Sequence, residues 1–435
     1  MDFRPGLSWE FLSREEIAEK SLRALRNHIR HVKECSGYYR TVLDGITPDD
    51  LADSTTIAAL PCTTREELAA HSSRFLGVAA PMVVETVITG GTGGAPLPFI
   101  FTASDLDRIA YNQALHFHAA GITDRDRVLL LLSLDRYALD GMAHYRGSVM
   151  AGANVMRVGI GATVTEELRH KLRFFRPTVL IGNPSLLRAG ALACRENGID
   201  TAGSPVTKLL CTNEGVYTRD LAHNAMAQSI AEFWGAEVFS LYASTETAVA
   251  YGDCPEHRGL HAHPELVYTE IVDDGGKPVP DGTVGELVAT PLGVEGVPLL
   301  RYRTGDMTFK VSGSCSCGRN SCRIGPILGR KSQLFSCNGA VIYPLPLTNA
   351  LDAVEEVKDY LIIIDNDTGQ TDSVTIQVAA PPAALQKIAA AVHEATGVYL
   401  QTLVSNIPTI HSLRKGSSKK LQILDRRELR QKVPA

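Results

Sequence analysis

Three short polar stretches carry residue types suited to binding phosphate, ribose and a hard metal ion. The first is glycine-rich and runs from Thr89 to Pro96 as Thr-Gly-Gly-Thr-Gly-Gly-Ala-Pro. The second runs from Tyr242 to Glu246 as Tyr-Ala-Ser-Thr-Glu, and the third from Arg301 to Asp306 as Arg-Tyr-Arg-Thr-Gly-Asp. Hydroxyls, carboxylates and guanidinium groups of this kind can together hold an anionic ligand and a divalent cation.

The glycine-rich run is suited to phosphate because its four glycines let backbone amides bend around phosphate oxygens, while its threonines add donors. An apolar segment, Met82 to Ile88, precedes it and is predicted to be a strand. The run lacks the Gly-Lys-Ser/Thr ending of a P-loop and the spacing of a dinucleotide fingerprint. Taken alone it fits a surface turn, so its interpretation depends on the other motifs.

Two further motifs follow, Gly329-Arg330 and a C-terminal segment that contains Lys419. In order, spacing and total length, the series resembles the adenylate-forming enzymes, and within them the phenylacetate-CoA ligase branch. The resemblance covers nearly the whole chain. It implies an enzyme that uses ATP to convert a carboxylic acid, expected to be aromatic, into an acyl adenylate and pyrophosphate. It also implies transfer of the acyl group to a thiol, with CoA as the expected acceptor.

The resemblance also implies roles for single residues. Glu246 is expected to hold Mg²⁺, Tyr242 to pack near the adenine, and Ala243 to line the boundary between nucleotide and acid. Asp306 is expected to accept hydrogen bonds from both ribose hydroxyls, since a carboxylate has two acceptor oxygens. Arg330 is expected to bind the phosphate or ribose end of the ligand and, with Glu246, to count among the catalytic residues.

These assignments have structural alternatives. Tyr242 and Glu246 can lie at a strand-to-helix junction where Thr245 and Glu246 serve only as a cap. Asp306 can be a turn residue, and Arg330 an ordinary surface arginine. The order of the motifs along the chain favours the functional interpretation.

A turn near the adenine is the expected place of Asn213-Glu214-Gly215, where the resembled family has Gly-Ala-Glu. The glutamate is kept and the first glycine is not. The residues expected to contact ATP are Thr89, Gly90, Gly91, Thr92, Gly93, Asn213, Glu214, Tyr242, Ala243, Ser244, Thr245, Asp306 and Arg330.

The segment from Leu413 to Arg427 resembles the closing signature of the family, in which a lysine on a glycine-containing loop precedes Asp-x-Arg. Counting back from Asp425 puts Lys419 at the catalytic position, where it is expected to contact the carboxylate and the α-phosphate. Lys420 is the alternative by one residue. A basic, disordered tail is the structural alternative.

An acid-binding pocket is expected near Tyr137, Asp140 and Ala243, because the resembled family builds its pocket after the corresponding strand. An aromatic acid needs an apolar slot with one or two polar groups that recognise its substituents. Asp140 can pair with an amino or hydroxyl substituent, or it can cap a helix.

Cysteines and histidines form a second constellation, which offers soft or borderline ligands for a tetrahedral zinc ion. The predicted ligands are Cys254, His261, Cys315 and Cys317, with His257 or Cys322 as substitutes. The resembled branch has cysteine, Gly-Leu-His and Cys-x-Cys-Gly-Arg at these places. Such a zinc ion would be structural, because adenylation needs magnesium. The alternative is a set of reduced core cysteines and surface histidines.

Two departures from the family pattern affect the predicted chemistry. Ala95 stands where the family usually has a lysine, which removes a positive charge from the phosphate site. The run Gly-Arg-Lys-Ser-Gln at 329–333 replaces the usual Gly-Arg-x-Asp-Asp, in the part that serves the second half-reaction. An amine or a carrier-protein thiol therefore remains an alternative acceptor, and a catalytically weak nucleotide-binding homologue remains an alternative function.

Composition agrees with a large enzyme that binds small molecules. The net charge of -5 gives no reason to expect nucleic-acid or membrane-surface partners. No apolar stretch approaches the roughly 20 residues of a membrane span, and the N-terminus shows no signal-peptide core. Nine cysteines without a disulfide-like arrangement indicate a reduced compartment. We therefore expect a cytoplasmic protein, and the resemblance adds a possible homodimer.

Alternating strand-like and helix-like segments between residues 127 and 211 predict an α/β fold with a parallel sheet. The segments 268–272 and 285–290 predict a β-rich subdomain. We place the boundary of a large core, 1–329, at a hinge near Arg330, followed by a small mobile α+β domain, 330–435. His116 and His118 fit no single helical face and are interpreted as structural or exposed.

Overall fold

The structure is a computed structural model that describes residues 8–89, 97–134, 139–158, 164–337, 340–366, 372–414 and 422–427, with backbone only at 164–167 and 366. Internal packing divides the chain into two compact units. The first contains Met1–Tyr217 and Ala227–Pro326, and the second contains Thr218–Met226 and Ile327–Ala435. The division after Pro326 lies close to the boundary that we predicted at residue 329, whereas no sequence pattern pointed to Thr218–Met226.

The secondary structure alternates between helices and strands over most of the chain. The helices are Arg14–Cys35 (α1), Gly37–Val42 (α2), Ser54–Ala58 (α3), Arg65–His71 (α4), Ala103–Ala119 (α5), Asp140–Met150 (α6), Val164–Phe174 (α7), Pro184–Glu196 (α8), Ala225–Trp234 (α9), Pro344–Asp352 (α10), Leu385–Thr396 (α11) and Ile407–Leu413 (α12). The strands are Glu85–Ile88 (β1), Pro98–Phe101 (β2), Arg127–Leu131 (β3), Asn154–Arg157 (β4), Val179–Gly182 (β5), Lys208–Cys211 (β6), Glu237–Ser244 (β7), Val249–Gly252 (β8), Leu260–His261 (β9), Val267–Val272 (β10), Val284–Pro291 (β11), Tyr302–Phe309 (β12), Arg323–Ile324 (β13), Gly329–Arg330 (β14), Phe335–Cys337 (β15), Ala340–Ile342 (β16), Asp359–Asn366 (β17), Asp372–Ala379 (β18), Gln401–Val404 (β19) and Ile423–Asp425 (β20).

A large mixed sheet forms the centre of the first unit, with strand order β13-β9-β8-β7-β6-β5-β3-β4. The strands from β4 to β7 pair in parallel, and β8 then pairs with β7 antiparallel. Val128 to Leu131 and Val179 to Ile181 are apolar and almost completely buried. Such continuous apolar strands are typical of a parallel sheet covered by helices on both faces. The predicted α/β class with a parallel sheet is confirmed.

The loops after parallel strands collect at one edge of this sheet, because the carboxyl ends of the strands point the same way. The strand β7 ends at Ser244, inside the second polar motif. The strand β6 ends at Cys211, directly before the Asn213-Glu214 turn. The topology therefore brings these two motifs to neighbouring strand ends.

A second layer of antiparallel strands, β10, β11 and β12, provides the predicted β-rich subdomain. The turn between β10 and β11 contains Asp273 and Gly276, and Gly276 has the left-handed backbone that glycine favours, with φ of 78°. The strand β12 runs through the third polar motif and holds Asp306.

The strand before the glycine-rich run is shorter than predicted. We expected Met82 to Ile88, but the strand covers only Glu85–Ile88, paired antiparallel with Pro98–Phe101. The residues Ala80–Met82 form a 3₁₀ turn instead. Pro81 explains the difference, since proline lacks an N–H and suits the first turn of a helix.

The second unit is an α+β structure with its own apolar core. Its sheet has the order β19-β18-β17-β20, with β17 and β18 antiparallel and the outer strands parallel to their neighbours. Ile362, Ile364 and Ile376 belong to the same buried cluster as Leu347 of α10 and Ile388 of α11. Among the described residues, no helix of either unit has the length and apolarity needed to cross a membrane.

Candidate active site

A hairpin between β7 and β8 carries the second polar motif. Ala243 pairs with Ala250 and Ser244 with Val249, so the four residues 245–248 form the connecting loop. Ala248 closes this loop in the left-handed region, with φ of 50°. Glu246 lies at the tip of this loop, beyond the carboxyl end of a central strand.

Glu246 makes contacts that link two of the predicted motifs. Its carboxylate accepts a hydrogen bond from Ser244 Oγ at 3.0 Å and pairs with Arg65 Nη1 at 3.1 Å. The other terminal nitrogen of Arg65 lies 3.3 Å from Thr89 Oγ1, at the start of the glycine-rich run. The side chains of Arg65 and Glu246 are 24% and 19% exposed, so a ligand can reach both. Oxygen donors from Glu246 and Ser244 fit a hard cation such as Mg²⁺.

Sequence analysis did not identify Arg65. It is the first residue of α4, where Thr64 caps the helix, and it is separated from Glu246 by 181 positions. Its surroundings in the sequence are those of an ordinary capping box, with Glu67 as the reciprocal partner. Ala95 gave an indirect indication of such a residue, because the loss of the usual lysine leaves the predicted phosphate site with one positive charge fewer.

Asp306, predicted to bind the ribose, is held by one bond to its side chain and one from its backbone. Tyr242 Oη donates to Asp306 Oδ2 at 2.6 Å, and the backbone N–H of Asp306 donates to Thr304 Oγ1 at 3.1 Å. Burial and the Asp306 carboxylate raise the pKa of Tyr242 well above its ordinary value, so its hydroxyl stays a donor. Tyr242, expected near the adenine, is thus also a direct partner of Asp306.

The two arginines of the third motif bind carboxylates of the neighbouring sheet strands. Arg301 is buried and pairs with Glu270 of β10 at 3.0 Å, while it also donates to the carbonyls of Ala58 and Leu60. Arg303 pairs with Glu286 of β11 at 2.6 Å. These ion pairs connect β12 and the residue before it with β11 and β10, so both arginines have a structural role close to Asp306 in the sequence.

Asp140, which we predicted in the acid pocket, contacts Asn213, which we predicted near the adenine. Asn213 Nδ2 lies 3.2 Å from Asp140 Oδ2 and 3.2 Å from Asn183 Oδ1. The other oxygen of Asp140 accepts from the N–H of Gly141 at 2.8 Å, but Asp140 is the first residue of α6 and Leu139 is its N-cap, so the capping alternative is not realised. Glu214 binds Ser185 at the start of α8 through both carboxylate oxygens, which gives it a capping role.

Several predicted site residues lie outside the part of the chain that the structure describes. They are Gly90, Gly91, Thr92, Gly93, Tyr137, Lys419 and the alternative Lys420. Arg330 is exposed and belongs to the second unit, at the end of β14. The roles assigned to all of these residues stay predictions.

The four predicted zinc ligands lie together. One donor atom from each of Cys254, His261, Cys315 and Cys317 falls within 4.8 Å of the other three. The sulfur atoms of Cys254 and Cys315 are 3.7 Å apart, and Cys317 Sγ lies 3.6 Å from His261 Nε2. Three sulfurs and one imidazole nitrogen at this separation fit a tetrahedral zinc site.

Protonation and neighbouring hydrogen bonds agree with a metal site. Burial lowers the pKa of His261 to about 3, so its imidazole is neutral at physiological pH, the form that binds a metal. Ser321 Oγ lies 3.1 Å from Nδ1 of His261, which leaves Nε2 toward the sulfurs. The substitute His257 is engaged elsewhere, because it contacts Asp253 and Glu237.

The two histidines of α5 differ in burial. His118 is exposed, whereas His116 is buried and contacts the backbone of β8. His116 is therefore a structural residue and His118 a surface residue, the two alternatives that we predicted.

A solved structure shares the fold of the chain. A 2-hydroxyisobutyryl-CoA ligase, in a complex with R3-HIB-AMP, is similar over 97% of this chain and 92% of its own, with a TM-score of 0.83 and 20% identity. At that identity the likeness concerns the fold alone. The chain therefore has the fold of a CoA ligase, with the predicted motifs on the β7–β8 hairpin and on β12.

Two sequence relatives identify the family. A phenylacetate-coenzyme A ligase of Thermus thermophilus is 30% identical over 387 residues, which cover 87% of this chain and 84% of the relative. The phenylacetate-coenzyme A ligase of Escherichia coli is 28% identical over 378 residues, covering 85% and 84%. No model of a protein family matches the sequence. The chain belongs to the phenylacetate-CoA ligase family and is an AMP-forming acid ligase.

Proposed function

We propose that the enzyme joins an aromatic carboxylic acid to CoA through an acyl adenylate, using ATP and Mg²⁺. The contact that supports the first step most directly is the junction of Arg65, Glu246 and Thr89, which brings a cation, a metal-suited carboxylate and the glycine-rich run to one place. The names of the sequence relatives, phenylacetate-coenzyme A ligases, support the choice of an aromatic acid and of CoA.

The first half-reaction joins two anions. A carboxylate oxygen of the acid attacks the α-phosphorus of ATP, the bond from that phosphorus to the bridging oxygen breaks, and pyrophosphate leaves. In the second half-reaction the CoA thiolate attacks the acyl carbon, a thioester forms, and AMP leaves with the oxygen that linked it. Positioning and electrostatic stabilisation of the phosphates carry most of the catalysis in such transfers.

We assign to Glu246 and Arg65 the neutralisation of negative charge on the phosphates. Glu246, with Ser244 beside it, would hold Mg²⁺, which neutralises negative charge on the phosphate oxygens when bound. Arg65 supplies a guanidinium next to Thr89 and so replaces the cation missing at Ala95. Because a guanidinium presents several N–H donors in one plane, it is well suited to phosphate oxygens.

The nucleoside end of ATP is assigned to Tyr242 and Asp306. Asp306 would accept the ribose hydroxyls, and the hydrogen bond from Tyr242 holds its carboxylate in one orientation. Ala243 is exposed on the same strand end and would border the acid. Arg330 and Lys419 are assigned to the phosphate and carboxylate by family resemblance.

The Cys/His group is proposed to bind a structural zinc ion, since its four side chains supply a complete protein ligand set and leave no position for a substrate. A homodimer and a cytoplasmic location are also proposals, which rest on the resemblance and on the composition.

Acid-dependent exchange of labelled pyrophosphate into ATP tests the first half-reaction. The panel should contain aryl, arylacetic and amino-substituted aromatic acids, with aliphatic acids of equal size as controls. Exchange with one aromatic class supports the proposal and names the substrate. AMP release that rises on CoA addition supports CoA as the acceptor, whereas release that rises only with an amine or a carrier protein replaces it.

Exchange with no acid, in a protein that still binds ATP, would contradict the proposed activity and favour a nucleotide-binding homologue. A Glu246→Gln variant is the matched control, because it keeps the shape of the side chain but removes its charge. We expect it to lose Mg²⁺-dependent exchange.

A further inference from the structure

A stripe of buried polar side chains runs along α5. Arg108, Asn112 and His116 are spaced four residues apart, so they lie on one face of the helix. Their exposed fractions are 2%, 1% and 1%. Three large polar residues in a row within an apolar interior need partners, because unpaired buried polar groups are costly.

All three side chains bind the backbone around β8. Arg108 Nη1 donates to the carbonyl of Ala248 at 2.9 Å. The N–H of Ala250 donates to Asn112 Oδ1 at 2.6 Å, and His116 Nε2 lies 2.8 Å from the carbonyl of Ala250. The stripe therefore binds three backbone groups, one of Ala248 at the end of the loop and two of Ala250 in β8.

The contact with His116 has a defined direction. A carbonyl only accepts, so Nε2 of His116 carries the proton, and Nδ1 faces His263 Nε2 at 3.2 Å. Burial lowers the pKa of His116, which agrees with a neutral ring. Gly252 provides the space, because a Cβ at that position would lie 2.3 Å from Nδ1 of His116.

The held strand is the partner of the strand that carries the second polar motif. Ala250 pairs directly with Ala243, and Ala248 ends the loop that contains Glu246. Arg108 fixes the end of that loop, while Asn112 and His116 fix the strand behind Ala243. The helix α5 therefore positions Glu246 and Ala243, although it carries none of the predicted motifs.

We propose that Arg108, Asn112 and His116 are positioning residues for adenylation, which hold the β7–β8 hairpin so that Glu246 meets Mg²⁺ and Ala243 meets the adenylate. The inference rests on the proposed role of Glu246. A displacement of about 1 Å at a reacting group can lower a rate by about a hundred-fold, so such support has a measurable effect.

The test compares two neighbouring substitutions on α5. Asn112→Leu removes the acceptor for Ala250, whereas the control Gln113→Leu changes an equally buried residue that packs against Gly147 of α6. We expect Asn112→Leu to raise the Mg²⁺ concentration for half-maximal pyrophosphate exchange by about ten-fold and to lower kcat per folded protein. Amide hydrogen exchange in residues 242–252 should become faster. Gln113→Leu should leave all three readouts near wild type.

A second pair covers the case in which Asn112→Leu does not fold. His116→Gln keeps an N–H donor for Ala250 and should retain most of the Mg²⁺ response, whereas His116→Leu should lose it. If Asn112→Leu and His116→Leu lower only the melting temperature, with an unchanged Mg²⁺ response, the stripe is structural and the inference is wrong. Absence of exchange in the wild type would instead remove the proposed function, and the positioning role with it.

Discussion

Arg65 and Glu246 form an ion pair that adds little to the free energy of unfolding. Its proposed role is to position the guanidinium of Arg65. Both side chains are partly exposed, and exposed pairs contribute about 0–1 kcal/mol to folding. The carboxylate holds the guanidinium beside Thr89, where a phosphate would otherwise meet no cation from the loop. At the scale of single residues, the site thus carries positive charge from an unexpected part of the chain.

We expect Arg65→Leu to reduce pyrophosphate exchange by about a hundred-fold, because one well-placed donor to developing charge is worth about 10²–10³ in rate. Arg65→Lys should recover part of the rate, since it restores the charge without the planar donors. Steady-state exchange kinetics at varied ATP measure both effects. The matched control is Arg74→Leu, which removes an exposed arginine whose guanidinium donates to the carbonyl of Gly37 and to Thr41 Oγ1. Equal rates for Arg65→Leu and the control would contradict the assignment.

At the scale of elements, the Cys/His group joins segments that are far apart in the chain. Cys254 follows β8, His261 lies in β9, and Cys315 and Cys317 belong to the loop before β13. The strands β9 and β13 pair over only two residues each, so they contribute few hydrogen bonds of their own. A bound metal ion would connect these short elements through its four protein ligands.

We expect the purified protein to contain about one zinc ion per chain, and a chelator to lower the thermal stability of the first unit. Both tryptophans, Trp9 and Trp234, belong to that unit, so their fluorescence follows its unfolding. Cys254→Ser should abolish zinc binding, and Cys35→Ser, outside the group, should not. Metal analysis without zinc, in protein prepared without chelator, together with unchanged melting on chelation, would contradict the site.

At the scale of the whole molecule, the residues assigned to the reaction are divided between two compact units. Thr89, Glu246 and Asp306 belong to the first, whereas Arg330 and Lys419 belong to the second. Each unit has its own buried apolar cluster. The first unit therefore holds most of the proposed nucleotide contacts, and the second holds Arg330 and the proposed catalytic lysine.

A chain that ends at Pro326 should therefore bind ATP but lose acid-dependent exchange by about a hundred-fold or more, because the lysine charge is absent. Calorimetry measures binding, and tryptophan fluorescence verifies that the shortened chain folds. Lys419→Ala in the full chain should show the same defect, which separates loss of the lysine from damage by truncation. Undiminished exchange in the shortened chain would show that the second unit is not needed for adenylation, whereas undiminished exchange in Lys419→Ala would contradict the role of Lys419.

The local pattern of residues determined much of this protein. Continuous apolar runs such as Val128 to Leu131 specify buried parallel strands, and the capping residues around Arg14 specify the start of α1. The Cys/His spacing, together with the family resemblance, predicted four side chains that the fold brings within ligand distance of one another. These features depend on short-range periodicity and on side-chain chemistry, which can be read along a single chain.

Tertiary structure alone decided which distant groups share the site. Arg65 reaches Glu246 across 181 positions, and Asn112 reaches Ala250 across 138. Neither pair has a sequence signature, since a capping position and a buried helix face look the same whether or not they support a reaction. Packing of helices on the sheet sets these contacts, and packing depends on the shapes of many side chains at once.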